Sequence, residues 1–218
     1  MRKSTNFVIG IDLSGPANFD DTVLVAFECE SGRLRRLRTI EKASDQAIWG
    51  FVADIPGQAC VTIGLDAPLS YNPGGGDRPG DSDLRRAAIA AGLSPGSIMP
   101  PTLHRMVYLT VRGIALARGM KLADGSTPRI LEVHPGAALA LHGAPLADVR
   151  AFSHESEARP RLLQWLESQG LHEIARPDPS SHYVAACGAA FAAWQFASGR
   201  SRWSRPATPP EHPYDYCA

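Results

Sequence analysis

The runs NFVIGID, residues Asn6–Asp12, and VTIGLD, residues Val61–Asp66, decide the fold class of this chain. Each is a short, continuous apolar segment that ends in an acid, the pattern of a strand buried on both faces. Between them lie two further strand-like runs, Thr22–Glu28 and Leu34–Ile40, whose short connections predict an antiparallel meander. A helix capped by Ser44 then leads into the second acidic run. The order β-β-β-α-β predicts a mixed α/β fold.

The remainder of the chain alternates loops, helices and one more strand. Residues 67–80 are rich in Gly and Pro and form a long loop of the kind that often serves a function. Arg129–His134 is a third strand of the buried type, and Ser180–Ser198 is an Ala-rich helix. We expect a single domain over residues 1–204 and a Pro-rich, aromatic C-terminal tail over residues 205–218.

The composition limits the class of protein. Of the 218 residues, 44% are hydrophobic and 20% are charged, which excludes a mainly disordered protein. No uninterrupted apolar run reaches about 18 residues, so a membrane-spanning helix is not expected. Basic and acidic residues balance at 22 each, which disfavours binding to duplex nucleic acid by bulk charge but allows a local basic strip. The polar residues 1–6 hold no signal-peptide core, and we expect a cytoplasmic protein.

Three predicted strands end in carboxylates, namely Asp12, Asp66 and Glu132. If the strands are neighbours, these side chains meet at the rim of the sheet, where open α/β sheets bind ligands. Clustered carboxylates persist when a cation neutralises them, and oxygen ligands favour Mg²⁺ or Mn²⁺. Paired ions of this kind activate water for phosphodiester cleavage. The alternative is that each acid only caps a turn or a helix.

Histidines and arginines also fall near the predicted rim. His134 lies two residues beyond Glu132 and so on the same face of its strand, where we expect it to contact substrate. His182 lies in the first turn of the Ala-rich helix, which would aim it at the acids. Three arginines after the long loop are candidates for holding phosphate oxygens, or for a solvated helix face: Arg78, Arg85 and Arg86.

Four motifs carry a resemblance to a known family: GIDLSG (Gly10–Gly15), GLDAPLS (Gly64–Ser70), LEVHPGAAL (Leu131–Leu139) and HYVAACGAAFAAW (His182–Trp194). In their order and spacing the chain resembles a domain-of-unknown-function family of predicted nucleases with a ribonuclease H-like fold. The resemblance covers nearly the whole chain. It implies a five-stranded mixed sheet, with three antiparallel strands followed by two parallel ones, flanked by helices.

The same resemblance implies a two-metal centre similar to that of RuvC-like resolvases. Asp12 and Asp66 match the acids of the first and fourth strands, and His182 matches the first position of a D/H-x-x-D pattern in the final helix. Ala185 stands where that pattern has its last acid, and Glu132 is the candidate to replace the missing oxygen. The implied catalytic residues and metal ligands are therefore Asp12, Asp66, Glu132 and His182.

These observations predict a nuclease that depends on Mg²⁺ or Mn²⁺ and hydrolyses nucleic-acid phosphodiester bonds by a two-metal mechanism. DNA and RNA, single-stranded or branched, both stay open as partners, and so does a homodimer; no membrane partner is expected. One alternative is a non-catalytic binding module with a degraded site, which Ala185 favours. The other is an actin-like nucleotide-binding phosphotransferase, for which this chain is short.

Overall fold

The antiparallel meander predicted from the sequence is present in the computed structural model, which describes residues 6–218. Residues 1–5, part of the segment behind the cytoplasmic prediction, lie outside the described residues. The first five strands are β1 (Asn6–Asp12), β2 (Val23–Glu30), β3 (Arg33–Glu41), β4 (Cys60–Asp66) and β5 (Arg129–Val133). β2 pairs antiparallel with β1 and with β3, whereas β4 pairs in parallel with β1 and with β5. These five strands therefore run three antiparallel, then two parallel.

The sheet is nevertheless larger than the five strands predicted. It has eight strands in the order β6-β3-β2-β1-β4-β5-β8-β7, and the additional ones are β6 (Leu171–His172), β7 (Ser204–Arg205) and β8 (Asp215–Cys217). The predicted strand number is wrong because strands of two or three residues are too short to show a hydrophobic period. The expected domain boundary after residue 204 falls inside β7, and β8 brings the C-terminal segment into the sheet beside β5.

Helices flank the sheet, and two of them begin at the caps that the sequence predicts. Ser44 Oγ accepts a hydrogen bond from the Ala47 amide at 3.2 Å, and Ser180 Oγ accepts one from the Tyr183 amide at 3.1 Å. None of the helices within residues 6–218 is long and apolar enough to cross a membrane. The helix bounds are α1 (Asp45–Ala53), α2 (Pro79–Ala90), α3 (Val107–Gly119), α4 (Pro135–Leu141), α5 (Leu146–Ala151), α6 (Ala158–Ser168) and α7 (Ser181–Ala197), with 3-10 turns at Pro16–Asp21 and Pro95–Ser97.

Alternate residues of β1 face two separate apolar cores, as the period of a strand requires. Val8 faces the core that contains α7, and Ile9 faces the core that contains α1 and α3. Gly10 and Gly64 lie directly under α7, because a Cβ atom at either position would collide with a backbone carbonyl oxygen of that helix. The helix therefore lies against β1 and β4, and its first turn reaches the ends of both strands.

Candidate functional site

Asp12 and Asp66 lie side by side at the carboxyl ends of β1 and β4. The parallel register pairs them directly, and each carboxyl group shifts the pKa of the other. Asp12 is only 9% exposed, and Asp66 is partly buried at the floor of a cleft. The structure therefore brings together the two acids for which the strand-end pattern predicts a common rim.

The electrostatic state of this pair is unfavourable. Burial raises the pKa of Asp12, and the hydrogen bond from His182 offsets part of that rise. Burial also raises the pKa of Asp66 well above its ordinary value, and the neighbouring charge of Asp12 raises it further. Within residues 6–218, no Lys or Arg forms an ion pair with either carboxylate. Within the described residues, the protein thus holds a buried acid beside a partly buried one, and His182 is the basic side chain paired with them.

His182 reaches the pair from the first turn of α7. Its Nδ1 atom lies 2.7 Å from Asp12 Oδ2, and its Nε2 atom lies 3.9 Å from Asp21 Oδ1. The hydrogen bond with Asp12 raises the pKa of His182, although burial opposes the rise. The imidazole is 41% exposed, so it connects the buried acid to solvent. The structure thus brings His182 to the site, as the sequence predicts.

Glu132 is near the acid pair, but its carboxylate is already occupied. It lies on β5 opposite Leu65, one position before the end of the neighbouring strand. Arg78 donates to both of its oxygens, one contact measuring 2.8 Å, and the Leu69 amide donates to Oε2 at 2.8 Å. Burial raises the pKa of Glu132, and Arg78 offsets part of that rise. In this structure Glu132 belongs to an ion pair rather than to the acid pair.

Arg78 is the centre of a buried ion cluster, which here means Arg78, Asp81 and Glu132. Its guanidinium also donates to Asp81 at 2.7 and 3.0 Å, and only 5% of the residue is exposed. Burial opposes its charge, but the two carboxylates outweigh burial and raise the pKa of Arg78. Ser70 Oγ accepts a further hydrogen bond at 2.9 Å. With its donors satisfied in this way, Arg78 is not free to hold a substrate phosphate.

The other residues predicted to bind substrate also have partners inside the protein. Arg85 pairs with Asp77 and donates to the Ile98 carbonyl, and the exposed Arg86 pairs with Asp83. His134 caps α4: its Nδ1 accepts from the Ala137 amide at 3.1 Å, and Nε2 lies 2.8 Å from the Ser97 carbonyl. Burial lowers the pKa of His134, so the neutral form that accepts this bond is favoured. His134 lines the cleft, but both of its ring nitrogens already have hydrogen-bond partners.

The contacts that sequence reasoning missed join segments far apart in the chain. Arg78 and Glu132 are 54 residues apart, and Ser70 Oγ lies 2.9 Å from His212 Nδ1, 142 residues away. No local pattern signals either contact. Of these contacts, only the pair of Arg78 with Asp81 could have been predicted locally. Asp81 lies three residues after Arg78, in the first turn of α2, where an acidic side chain is favourable.

Two adjoining concavities meet at Asp66. The acid cleft, of about 280 Å³, is lined by Asp12, Asp66, Leu109 and His134, among others. The second concavity, of about 690 Å³, contains Asp66, His134 and Ala185. Within residues 6–218, no three His, Cys, Asp or Glu side chains are arranged to hold a metal ion by themselves. The site thus offers a carboxylate pair and an imidazole bonded to one of its members.

Comparison with known proteins identifies a family. A family model described as "Protein of unknown function (DUF429)" matches residues 10–212. The match covers most of the chain, which therefore belongs to that family. Neither the curated proteins nor the solved structures include a match.

Proposed function

We propose that this DUF429 protein is a metal-dependent phosphodiesterase that hydrolyses nucleic acid, with Asp12 and Asp66 at the centre of its site. The observation that carries the proposal is the carboxylate pair, which lies in register at the ends of two parallel strands and has no Lys or Arg partner within residues 6–218. Such an arrangement costs stability unless a bound cation neutralises it. Catalysis by the carboxylates best explains why the protein keeps an arrangement that lowers its stability.

The residues present fit Mg²⁺ or Mn²⁺. Both donors are carboxylates, the ligand type that hard divalent cations prefer. Mg²⁺ is commonly held by one or two carboxylates together with water and substrate phosphate, so a full set of protein ligands is not required. When bound, such ions supply Lewis-acid stabilisation and a nucleophilic water. The cleft of about 280 Å³ beside the pair leaves room for a phosphate group.

The chain's own residues have separate roles in this proposal. Asp12 and Asp66 hold the cation and set its position relative to the cleft. His182, through Nδ1, keeps the Asp12 carboxylate oriented, and its exposed ring can carry a proton between the site and solvent. The Nδ1 atom of His182 would become a metal ligand only if it released Asp12.

Glu132 has a different role in the structure as described. Because Arg78 and the Leu69 amide occupy its oxygens, it anchors the loop after β4, although it also lines the acid cleft. Asp12 and Asp66 can together hold one cation. A second ion, as a two-metal mechanism requires, would take Glu132 as a ligand only after Glu132 leaves Arg78. Asp66 lines both concavities, so it would be available to an ion in either of them.

A second candidate function is a binding module without catalysis. Ala185 lines the same concavity as Asp66, so the position where the resemblance expects a third acid does lie at the site and carries a methyl group. A protein that had lost one ligand could retain the cleft for binding alone. The two candidates differ in whether the acid pair takes up a cation and supports turnover.

The test is hydrolysis of an oligonucleotide and of bis(p-nitrophenyl) phosphate in the presence of Mn²⁺. We expect turnover by the wild type that EDTA abolishes, and a loss on the order of 10²-fold or more in Asp12→Asn. Asp54→Asn, an exposed acid at the end of α1, is the matched control and should retain full activity. Equal rates for Asp12→Asn and wild type would contradict the proposal. An absence of turnover with both substrates would favour the binding module.

A further inference from the structure

The first two turns of α3 expose apolar side chains close to the acid cleft. Tyr108 is 70% exposed, Val111 is 60% exposed and Val107 is 38% exposed. Val111 is the neighbour of both other side chains on the helix surface, because it lies three residues after Tyr108 and four after Val107. A contiguous exposed apolar face of this kind commonly marks a binding surface.

This face borders a groove that shares a lining residue with the acid cleft. Tyr108, Arg105 and Leu109 line a concavity of about 590 Å³, whose other wall is the backbone turn at residues 15–18. Leu109 also lines the cleft that contains Asp12 and Asp66. The two concavities therefore share Leu109, and a ligand in the acid cleft that extends past this side chain would reach Tyr108.

The groove also carries a free cation. Arg105 forms no hydrogen bond or ion pair with any residue in the described range 6–218, unlike Arg78, Arg85 and Arg86, and the Tyr108 hydroxyl is likewise without a partner there. A free guanidinium beside an exposed aromatic ring is the combination that binds single-stranded nucleic acid: the ring stacks on a base, and the cation contacts the backbone.

We propose that Tyr108 and Arg105 form a docking platform for a single-stranded nucleic-acid segment that flanks the phosphate in the acid cleft. The inference rests on the proposed function and specifies its substrate class. Bases in a duplex are already stacked on their neighbours, so their faces are not available to Tyr108, whereas unpaired bases can turn onto the ring. Arg105 compensates locally for a chain without net positive charge.

A second copy of this chain is the competing occupant. In a two-fold symmetric contact the same patch meets itself, so a contact centred on Tyr108 would also bring two Arg105 side chains close together. The like charges oppose that contact, whereas a polyanion is attracted to the same cation. Charge complementarity therefore favours nucleic acid.

The test is the affinity for a fluorescein-labelled oligothymidylate of about 10 nucleotides, measured by anisotropy with Ca²⁺ in place of Mn²⁺. We expect Tyr108→Ala to weaken binding on the order of 10-fold and Tyr108→Phe, which keeps the ring, to bind as the wild type does. Arg105→Ala should lower the slope of log Kd against log salt by about 0.7, the value for one contact with a single strand. Leu37→Ala, at an exposed position outside the groove, is the control.

Each outcome decides the inference. Equal affinity for wild type and Tyr108→Ala, a duplex that binds as tightly as the single strand, or no binding by the wild type would overturn it. A dimer seen by light scattering that Tyr108→Ala splits without a change in oligonucleotide affinity would assign the surface to a second copy. The Mn²⁺-dependent hydrolysis assay with Asp12→Asn tests the proposed function separately, so failure of the platform and failure of the catalytic site can be distinguished.

Discussion

Two groups of buried carboxylates lie at the same rim of the sheet, and they differ in their counter-charge. Glu132 and Asp81 have Arg78 between them, with hydrogen bonds of 2.7 to 3.0 Å to its guanidinium. Among residues 6–218, Asp12 and Asp66 have only each other and the imidazole of His182. The first group is a complete structural unit, whereas the second is left with a charge imbalance that a ligand can satisfy. The difference separates an acid that holds the fold together from an acid available for chemistry.

The largest effect is expected from removing the cation of the ion cluster. Arg78→Met leaves Glu132 and Asp81 buried without a counter-charge, which should lower the free energy of unfolding by about 3–5 kcal/mol. The melting temperature should fall by roughly 10 °C, as measured by calorimetry. Arg86→Met, on an exposed side chain, is the control and should shift stability by no more than about 0.5 kcal/mol. A small effect of Arg78→Met would mean that the cluster is not a structural unit.

The next effect comes from neutralising one acid of the same cluster. Glu132→Gln replaces an oxygen with an amide group that donates toward Arg78, so charge-assisted hydrogen bonds are lost. We expect a loss of about 2 kcal/mol in the free energy of unfolding, smaller than for Arg78→Met because Asp81 still pairs with the guanidinium. Urea titration measures it. A gain in stability would contradict this, because it would mean that Arg78 does not offset the buried charge of Glu132.

In the acid pair, the same carboxylate-to-amide change should raise the free energy of unfolding instead of lowering it. The pKa of Asp66 is raised above its unfolded value of 3.8, so the folded state binds more protons than the unfolded state above that pH. Asp66 therefore makes the wild type lose stability as pH rises through the interval between 3.8 and the folded pKa. Asp66→Asn removes this loss and should stabilise the metal-free protein by roughly 1 kcal/mol at pH 7.

The pH dependence of that gain provides its control. The difference in unfolding free energy between Asp66→Asn and wild type should shrink toward zero as pH falls well below 3.8, where the carboxyl group is protonated in both states. Urea titrations at acidic and neutral pH, with EDTA present, measure this difference. If Asp66→Asn were less stable than the wild type at pH 7, the prediction would be wrong, and the charge of Asp66 would be offset by other groups in the metal-free protein.

The smallest predicted effect is a change in one titration. Asp12 raises the pKa of His182 above 6.5, and burial lowers it. In Asp12→Asn the attraction is gone while burial remains, so the His182 pKa measured by NMR should fall below its wild-type value. The control variant Asp54→Asn should leave the pKa of His182 unchanged. An unchanged His182 would mean that its bond with Asp12 is weak in solution.

Local sequence signals were sufficient for the acid pair and for most of the central fold. Asp12 and Asp66 each end a continuous apolar run, and parallel pairing of the two runs is enough to bring them together. Ser180 caps α7, which places His182 in its first turn. These features depend on residues that are close in sequence or on a regular period, so they can be read without a structure.

Other features depended on contacts between distant segments. β8 has only three residues, which is too few for a periodic pattern in the sequence. Its partner β5 lies more than eighty residues earlier in the chain. The ion pair between Arg78 and Glu132 is equally non-local. For this reason Glu132 seemed equivalent to Asp12 and Asp66 in the sequence, although Arg78 occupies its oxygens in the fold. A strand-end acid can be located from sequence, but its counter-ion cannot.

The measurement that tests this account most directly is thermal unfolding of wild type and Asp66→Asn, each with and without millimolar Mn²⁺. At an ion concentration about 100 times Kd, binding stabilises the folded state by about 2.7 kcal/mol, or roughly 5 to 10 °C for a chain of this size. We expect that rise in the wild type and none in Asp66→Asn. No rise in the wild type, or the same rise in both proteins, would contradict the assignment of the acid pair as a metal site.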